Sequence, residues 1–149
     1  MLFWLLTPVL VYFWSRTWME KWGARLTAIT VGLSPILFTY AFEARAYALL
    51  AFLSVASAWA FWKRKWLIYL IVASVGVYTH YYMWFILASH GVYWLVFDRK
   101  QVKKVMGVFM GIGLAQLPWL PTLMMQVGSV VKDYWIAPID QRTHWEWLV

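Results

Sequence analysis

Five short polar breaks divide this chain into six apolar runs, and that segmentation leaves very few folds open to it. The runs cover about residues 1–14, 24–41, 45–62, 66–79, 82–97 and 104–124. A bilayer core about 30 Å thick takes about 20 helical residues to cross, fewer where the membrane thins locally. Hydrophobic residues make up 64% of the 149 and charged residues only 13%, whereas a soluble domain carries about a quarter charged residues. Water would not tolerate so much apolar surface. The expected fold is all-α: one polytopic transmembrane helical bundle of about six spans, occupying residues 1–149 as a single domain.

The breaks are asymmetric in charge, and this sets the orientation. Arg16, Lys21 and Arg25 lie at the first break, Lys63, Arg64 and Lys65 at the third, and Arg99, Lys100, Lys103 and Lys104 at the fifth. Ten of the 13 basic residues therefore belong to alternate breaks, which the positive-inside rule assigns to the cytoplasm. Only Arg45, Lys132 and Arg142 fall on the other side, with the acids Glu43, Asp133, Asp140 and Glu146. The stretch 66–97 read as one helix would be about 48 Å long and would put the Lys63–Lys65 and Arg99–Lys104 clusters on opposite faces. Two short spans turning near Thr79-His80-Tyr81-Tyr82 resolve both problems. The net charge of +7 is then loop charge and does not indicate nucleic acid, since no basic face stands clear of the apolar runs. Eleven of the 13 Trp are expected in two belts, as interfacial rings are: Trp14, Trp18, Trp22, Trp59, Trp62, Trp66 and Trp94 on the cytoplasmic side and Trp119, Trp135, Trp145 and Trp147 on the outer one. Cysteine is absent, which removes disulfides and thiolate metal sites.

Three constellations carry chemistry. Pro35 kinks or ends the second run, and Glu43 and Arg45 follow between two long apolar stretches. A charge deep in a membrane costs about 2.5–3.5 kcal/mol on insertion scales, so these two need partners, a wet cavity or the outer interface. Residues two apart on a helix do not face each other, so separate partners are expected. Arg presents a fork of donors that suits a phosphate; Glu43 would orient that Arg, hold a sugar hydroxyl or ligate a cation. A structural ion-pair network closing the loop is the competing reading. The second constellation is Tyr78-Thr79-His80-Tyr81-Tyr82, where an imidazole can donate to phosphate and flat rings can face a sugar or a polyprenyl chain; a packing histidine is the alternative. The third is Gln116-Leu117-Pro118-Trp119-Leu120-Pro121, expected to end or kink the last run, then a polar aromatic outer loop through Gln126 and Lys132–Pro138, with Trp135, that would cover a site or simply lie at the interface. His90, Ser89 and Gly91 read as helix packing, as do Gly107, Gly111 and Gly113.

At these residues a family resemblance emerges. Pro35 followed by Tyr40-x-x-Glu43-Ala44-Arg45-x-Tyr47-Ala48-Leu49 resembles the Ser-Gln-Glu-Ala-Arg-x-Tyr-Ala-Leu loop of bacterial family 39-type glycosyltransferases, relatives of the dolichyl-phosphate-mannose–protein mannosyltransferases. Tyr78-Thr79-His80-Tyr81 resembles their Tyr-Thr-His-Tyr turn, and Leu117–Pro121 with Tyr134-Trp135-Ile136-x-Pro138 resembles their later elements. The resemblance implies a partial GT-C fold in a bacterial inner (plasma) membrane, with the site on the extracytoplasmic face. It further implies sugar transfer from a polyprenyl-phosphate-linked donor to a lipid, glycan or protein acceptor in the cell envelope. Arg45 would stabilise the departing phosphate and Glu43 would orient it, while Tyr40, Tyr47, His80, Tyr81, Tyr82 and Trp135 would line the substrate cavity. No metal ligand set or cofactor is expected, although a divalent cation would be compatible. Membrane lipids are the expected surroundings.

The departures from the family matter. Tyr40-Ala41-Phe42 stands where Ser-Gln is usual, and the family's acidic base, carried in a loop after its first span, would precede Met1. Glu20 falls on the cytoplasmic side and cannot replace it. The chain is thus expected to be part of a larger glycosyltransferase and inactive alone. Two other functions fit the composition: a small transporter or channel using Glu43, Arg45 and His80 as an ion path, and a catalytically inactive membrane scaffold.

Overall fold

The computed structural model describes residues 1–42 and 46–132, the side chains of 130–132 excepted. Every regular element among them is helical. In chain order these are α1 (Leu2–Ser15), α2 (Lys21–Gly32), α3 (Pro35–Phe42), α4 (Tyr47–Trp62), α5 (Trp66–Thr79), α6 (Met83–Phe97), α7 (Val102–Ala115), a 3-10 turn (Leu117–Trp119) and α8 (Leu120–Lys132). The helical run Val102–Ser129, 28 residues, is long and apolar enough to cross a membrane, and α2 with α3 meets the same standard taken together. The other apolar helices, α1, α4, α5 and α6, have 14, 16, 14 and 15 residues, which gives about 21–24 Å at 1.5 Å per residue.

Local chemistry explains where the helices stop. Pro35 lacks the N–H that would continue α2, and the axis bends by 50° between α2 and α3. At this bend the Trp4 indole donates to the Gly32 carbonyl at 3.1 Å, satisfying a backbone acceptor beside the break. The end of α4 is a Schellman motif: Arg64 N–H donates to the Phe61 carbonyl at 3.0 Å and Lys65 N–H to the Ala60 carbonyl at 2.8 Å. The position that normally takes glycine is Arg64, held at φ 54. Helix α5 ends because His80 turns extended, at φ −161 and ψ 138. The N-caps of α1, α2, α4, α5, α6 and α7 make no side-chain capping bond. Packing and the surroundings of these apolar helices therefore hold them, rather than caps.

The chain divides into two compact units, Met1–Gln116 and Leu117–Val149. In the first, α1 packs on α2 and α4, α4 on α5, and α5 on α7, with α3 and α6 against α4. Small residues permit the close approaches: Ala60 and Ala73 are fully buried, and a Cβ at Gly76 would stand 2.8 Å from Met83 Cγ. A Cβ at Gly111 would meet Leu70 Cδ1 at 2.7 Å, whereas Gly107 and Gly113 face open space, so only Gly111 of that glycine series serves packing. Buried hydroxyls bond back to their own helices, Thr7 to the Phe3 carbonyl and Ser57 to that of Ser54. The outer faces stay apolar, with Leu5, Phe13, Leu67, Phe85, Val96 and Met110 all exposed.

Among the described residues of this unit, the two ends of the helical bundle differ sharply. At one end Arg64 pairs with Asp98, the Trp66 indole donates to Gln101 Oε1 at 3.2 Å and the Trp94 indole to the Lys100 carbonyl at 3.0 Å. Trp14 and Trp18 share a cavity there with Trp62 and Tyr93. The breaks after α1, α4 and α6 thus meet at this end, bringing together the three basic clusters. A single helix over 66–97 would have separated two of them; the break at His80 does not. The opposite end holds the Met1 amino group on the Ala41 carbonyl at 3.1 Å, Tyr47 against His80, and the Tyr78 hydroxyl on the Ala115 carbonyl at 2.6 Å. Among the described residues of this unit, no Lys or Arg lies at that end.

In the second unit the two prolines act differently from expectation. The run does not give way to a loop near residue 124; α8 continues to Lys132. Pro118 sits in the 3-10 turn and Pro121 in the first turn of α8, where a missing N–H has no helical partner to lose. The following Leu-Met-Met-Gln favours helix, so Gln126 is helical.

Candidate functional site

The non-basic end gathers five of the residues that sequence reasoning singled out. Tyr40 lies in the last turn of α3 and Tyr47 opens α4, and their rings meet at 4.6 Å. These two rings bracket the Glu43–Arg45 segment in sequence; Glu43 and Arg45 themselves lie outside the described residues. From the other side the α5–α6 turn presents His80, whose ring lies 5.2 Å from that of Tyr47. The aromatic chain then runs onward: His80 stacks on Tyr81 at 4.5 Å with planes 30° apart and meets Tyr82 at 4.7 Å. Tyr47 and His80, 33 residues apart in sequence, therefore share one end of the bundle. Trp135, and the loop expected over Asp133–Pro138, also fall outside the described residues.

The turn geometry fixes how His80 can act. Its Nδ1 accepts the Tyr82 backbone N–H at 3.2 Å, so in the neutral ring the proton sits on Nε2. That leaves an Nε2–H donor for an anionic or hydroxylated ligand. The Tyr82 side chain, hydrogen-bonded to Tyr81, lifts the Tyr81 phenol above its ordinary 10.0, so this exposed ring keeps its O–H as a donor. Rings with such edges and faces suit a sugar, whose C–H faces stack and whose hydroxyls bond.

Two residues at this end were named in the sequence only as the first members of their motifs, without a role of their own. Tyr78 was noted only as part of its motif, yet its hydroxyl ties α5 to the end of α7 through the Ala115 carbonyl. Gln116 is buried at 7% exposure, and among the described residues neither atom of its amide has a partner. A buried amide without bonds costs about 1–3 kcal/mol per group, which marks the position as unusual. The available signal was a lone amide at the end of an apolar helix.

His90 is a separate case. Its Nδ1 lies 3.2 Å from the Tyr69 hydroxyl and its ring stacks on Phe61 at 4.9 Å and 11°. It is a buried packing histidine, away from the aromatic cluster of His80. No group of three or more His, Cys, Asp or Glu that could hold a metal occurs among the described residues.

Comparison with known proteins yields no matching family model, no matching curated protein and no matching solved structure.

Proposed function

We propose that this chain is an integral, multi-pass membrane segment of a GT-C-type glycosyltransferase that takes its sugar from a polyprenyl-phosphate donor on the extracytoplasmic face. The observation that carries the reading is the Tyr47–His80 ring contact, 5.2 Å, which sets the first residue of α4, two positions after Arg45 in sequence, beside the Thr-His-Tyr turn. Membrane placement draws support from the apolar outer faces of every pass, because monomeric soluble proteins rarely expose such continuous patches. Orientation draws support from the ten basic residues gathered at one end and their absence from the described residues at the other. A transporter would spread charges through the membrane depth; here they cluster at the ends.

In this reading the donor's phosphate meets Arg45 while His80 Nε2–H and the tyrosine hydroxyls hold the sugar. Charge developing on the departing phosphate oxygen is stabilised by the fixed guanidinium. The acidic base comes from sequence outside these residues. Purified alone, the 149-residue chain transfers no sugar yet binds the donor. A photoreactive polyprenyl-phosphate analogue should label the wild-type chain, and Arg45→Ala should lower labelling; in a longer protein carrying the acidic loop, Arg45→Ala should cut transfer about 100-fold. Equal labelling and turnover in the variant would remove the phosphate role.

A further inference from the structure

The basic end holds two adjoining cavities that the sugar-transfer reading does not use. The larger, about 390 Å³, is walled by Trp14 and Trp18 around the end of α1, by Ala58, Phe61 and Trp62 of α4, and by Ser89, His90 and Tyr93 of α6. The smaller, about 130 Å³, shares Phe61, Trp62 and Tyr93 with it and adds Arg64, Trp66 and Asp98. An almost wholly apolar chamber thus opens beside a charged one. The first is in the size range of small-ligand pockets, about 300–1,000 Å³.

Arg64 and Asp98 are the charged groups that line the smaller chamber, and the two turns that carry them add Lys63, Lys65, Arg99 and Lys100 nearby. Asp98 takes one terminal nitrogen of the Arg64 guanidinium, and the guanidinium has five N–H donors in all. Arg64 also occupies a left-handed position, φ 54, where glycine is unstrained. A bulky cation thus stands where the backbone favours glycine, and strain of this kind collects at binding sites.

We propose that these joined cavities bind one anionic phospholipid of the surrounding leaflet, its acyl chain in the Trp14–Tyr93 chamber and its phosphate at Arg64. Charge complementarity selects an anionic headgroup over a zwitterionic one, each nearby basic side chain contributing about fivefold in affinity. The proposal rests on the membrane placement of the bundle but not on sugar transfer.

Native mass spectrometry of the detergent-purified chain, supplied with equal phosphatidylglycerol and phosphatidylcholine, tests it. Wild type should retain one phosphatidylglycerol at least about fivefold above phosphatidylcholine. Arg64→Gly, which relaxes the backbone while removing the charge, should bring that ratio down about fivefold. Ala58→Trp, which fills the apolar chamber from α4, should reduce retention of both lipids, and Ser89→Phe should do the same from α6 if the first variant fails to keep its helicity. Equal retention of the two lipids by wild type, or an unchanged ratio in Arg64→Gly, overturns the site. Release of the chain from membranes by alkaline carbonate would instead overturn the membrane placement, so the two failures are distinct.

Discussion

At the scale of single residues, Arg64 and Tyr69 make opposite tests of what a polar side chain contributes here. Arg64 occupies the left-handed position of the α4 Schellman turn, which costs a non-glycine residue about 1–2 kcal/mol. Its pair with Asp98 is partly exposed, with side-chain exposures of 38% and 22%, and such a pair contributes only about 0–1 kcal/mol. Arg64→Gly should therefore leave stability unchanged or raise it by up to about 2 kcal/mol in reversible unfolding from mixed micelles. A clear loss would mean that the pair outweighs the strain. Tyr69 is fully buried and its hydroxyl meets His90 Nδ1. Tyr69→Phe keeps the ring and strands the imidazole nitrogen, so it should cost about 1–3 kcal/mol in the same assay. His90 could be read from sequence as a packing residue because an imidazole flanked by Ser89 and Gly91 sits deep in an apolar run. Its partner could not. Tyr69 lies 21 residues away, and only the α5–α6 turn decides which face of each helix meets the other.

At the scale of elements, the breaks were more legible than the contacts they create. Pro35, the Lys63–Lys65 cluster, the polar Thr79–Tyr82 stretch and the Asp98–Gln101 stretch each fall where a helix ends, because proline, loop cations and an extended histidine interrupt helical bonding locally. The prolines near residue 120 were misread for a related reason. Proline ends a helix from its interior but begins one from its first turn, and sequence alone did not say which side of Pro121 was helical. The aromatic site is intermediate: both bends could be placed at one end from charge alone, but the Tyr47–His80 contact depends on how α4 lies on α5. That packing rests on small residues, which yields a graded test. Gly76→Ala puts a Cβ 2.8 Å from the Cγ of buried Met83. The overpacking, about 1–3 kcal/mol, should exceed the gain in helix propensity of up to about 1 kcal/mol and open the α5–α6 turn. Gly107→Ala meets nothing within 4 Å, so it should be neutral or slightly stabilising. Thermal loss of helicity in detergent separates the two.

At the scale of the molecule, the proposed placement makes the two ends of the bundle chemically unlike compartments. Since the chain contains no cysteine, a single introduced thiol reports its own exposure without background. In intact cells, Lys63→Cys should resist a membrane-impermeant maleimide, while Tyr82→Cys, on the aromatic turn, should react with it; the reverse pattern would invert the proposed topology and move the aromatic cluster into the cytoplasm. In that proposed placement, helices of about 21–24 Å would put the turn at His80 below the outer interface, where irregular backbone survives only beside protein or trapped water.

The gathering of Arg and Lys at one end also bears on how such a chain is made. Were it threaded upside down, ten cations would have to be carried outward against a potential that is negative inside, at about 2.3 kcal/mol for each per 100 mV. A penalty on the order of 20 kcal/mol leaves no room for a mixed population. In the proposed placement, one orientation would therefore dominate.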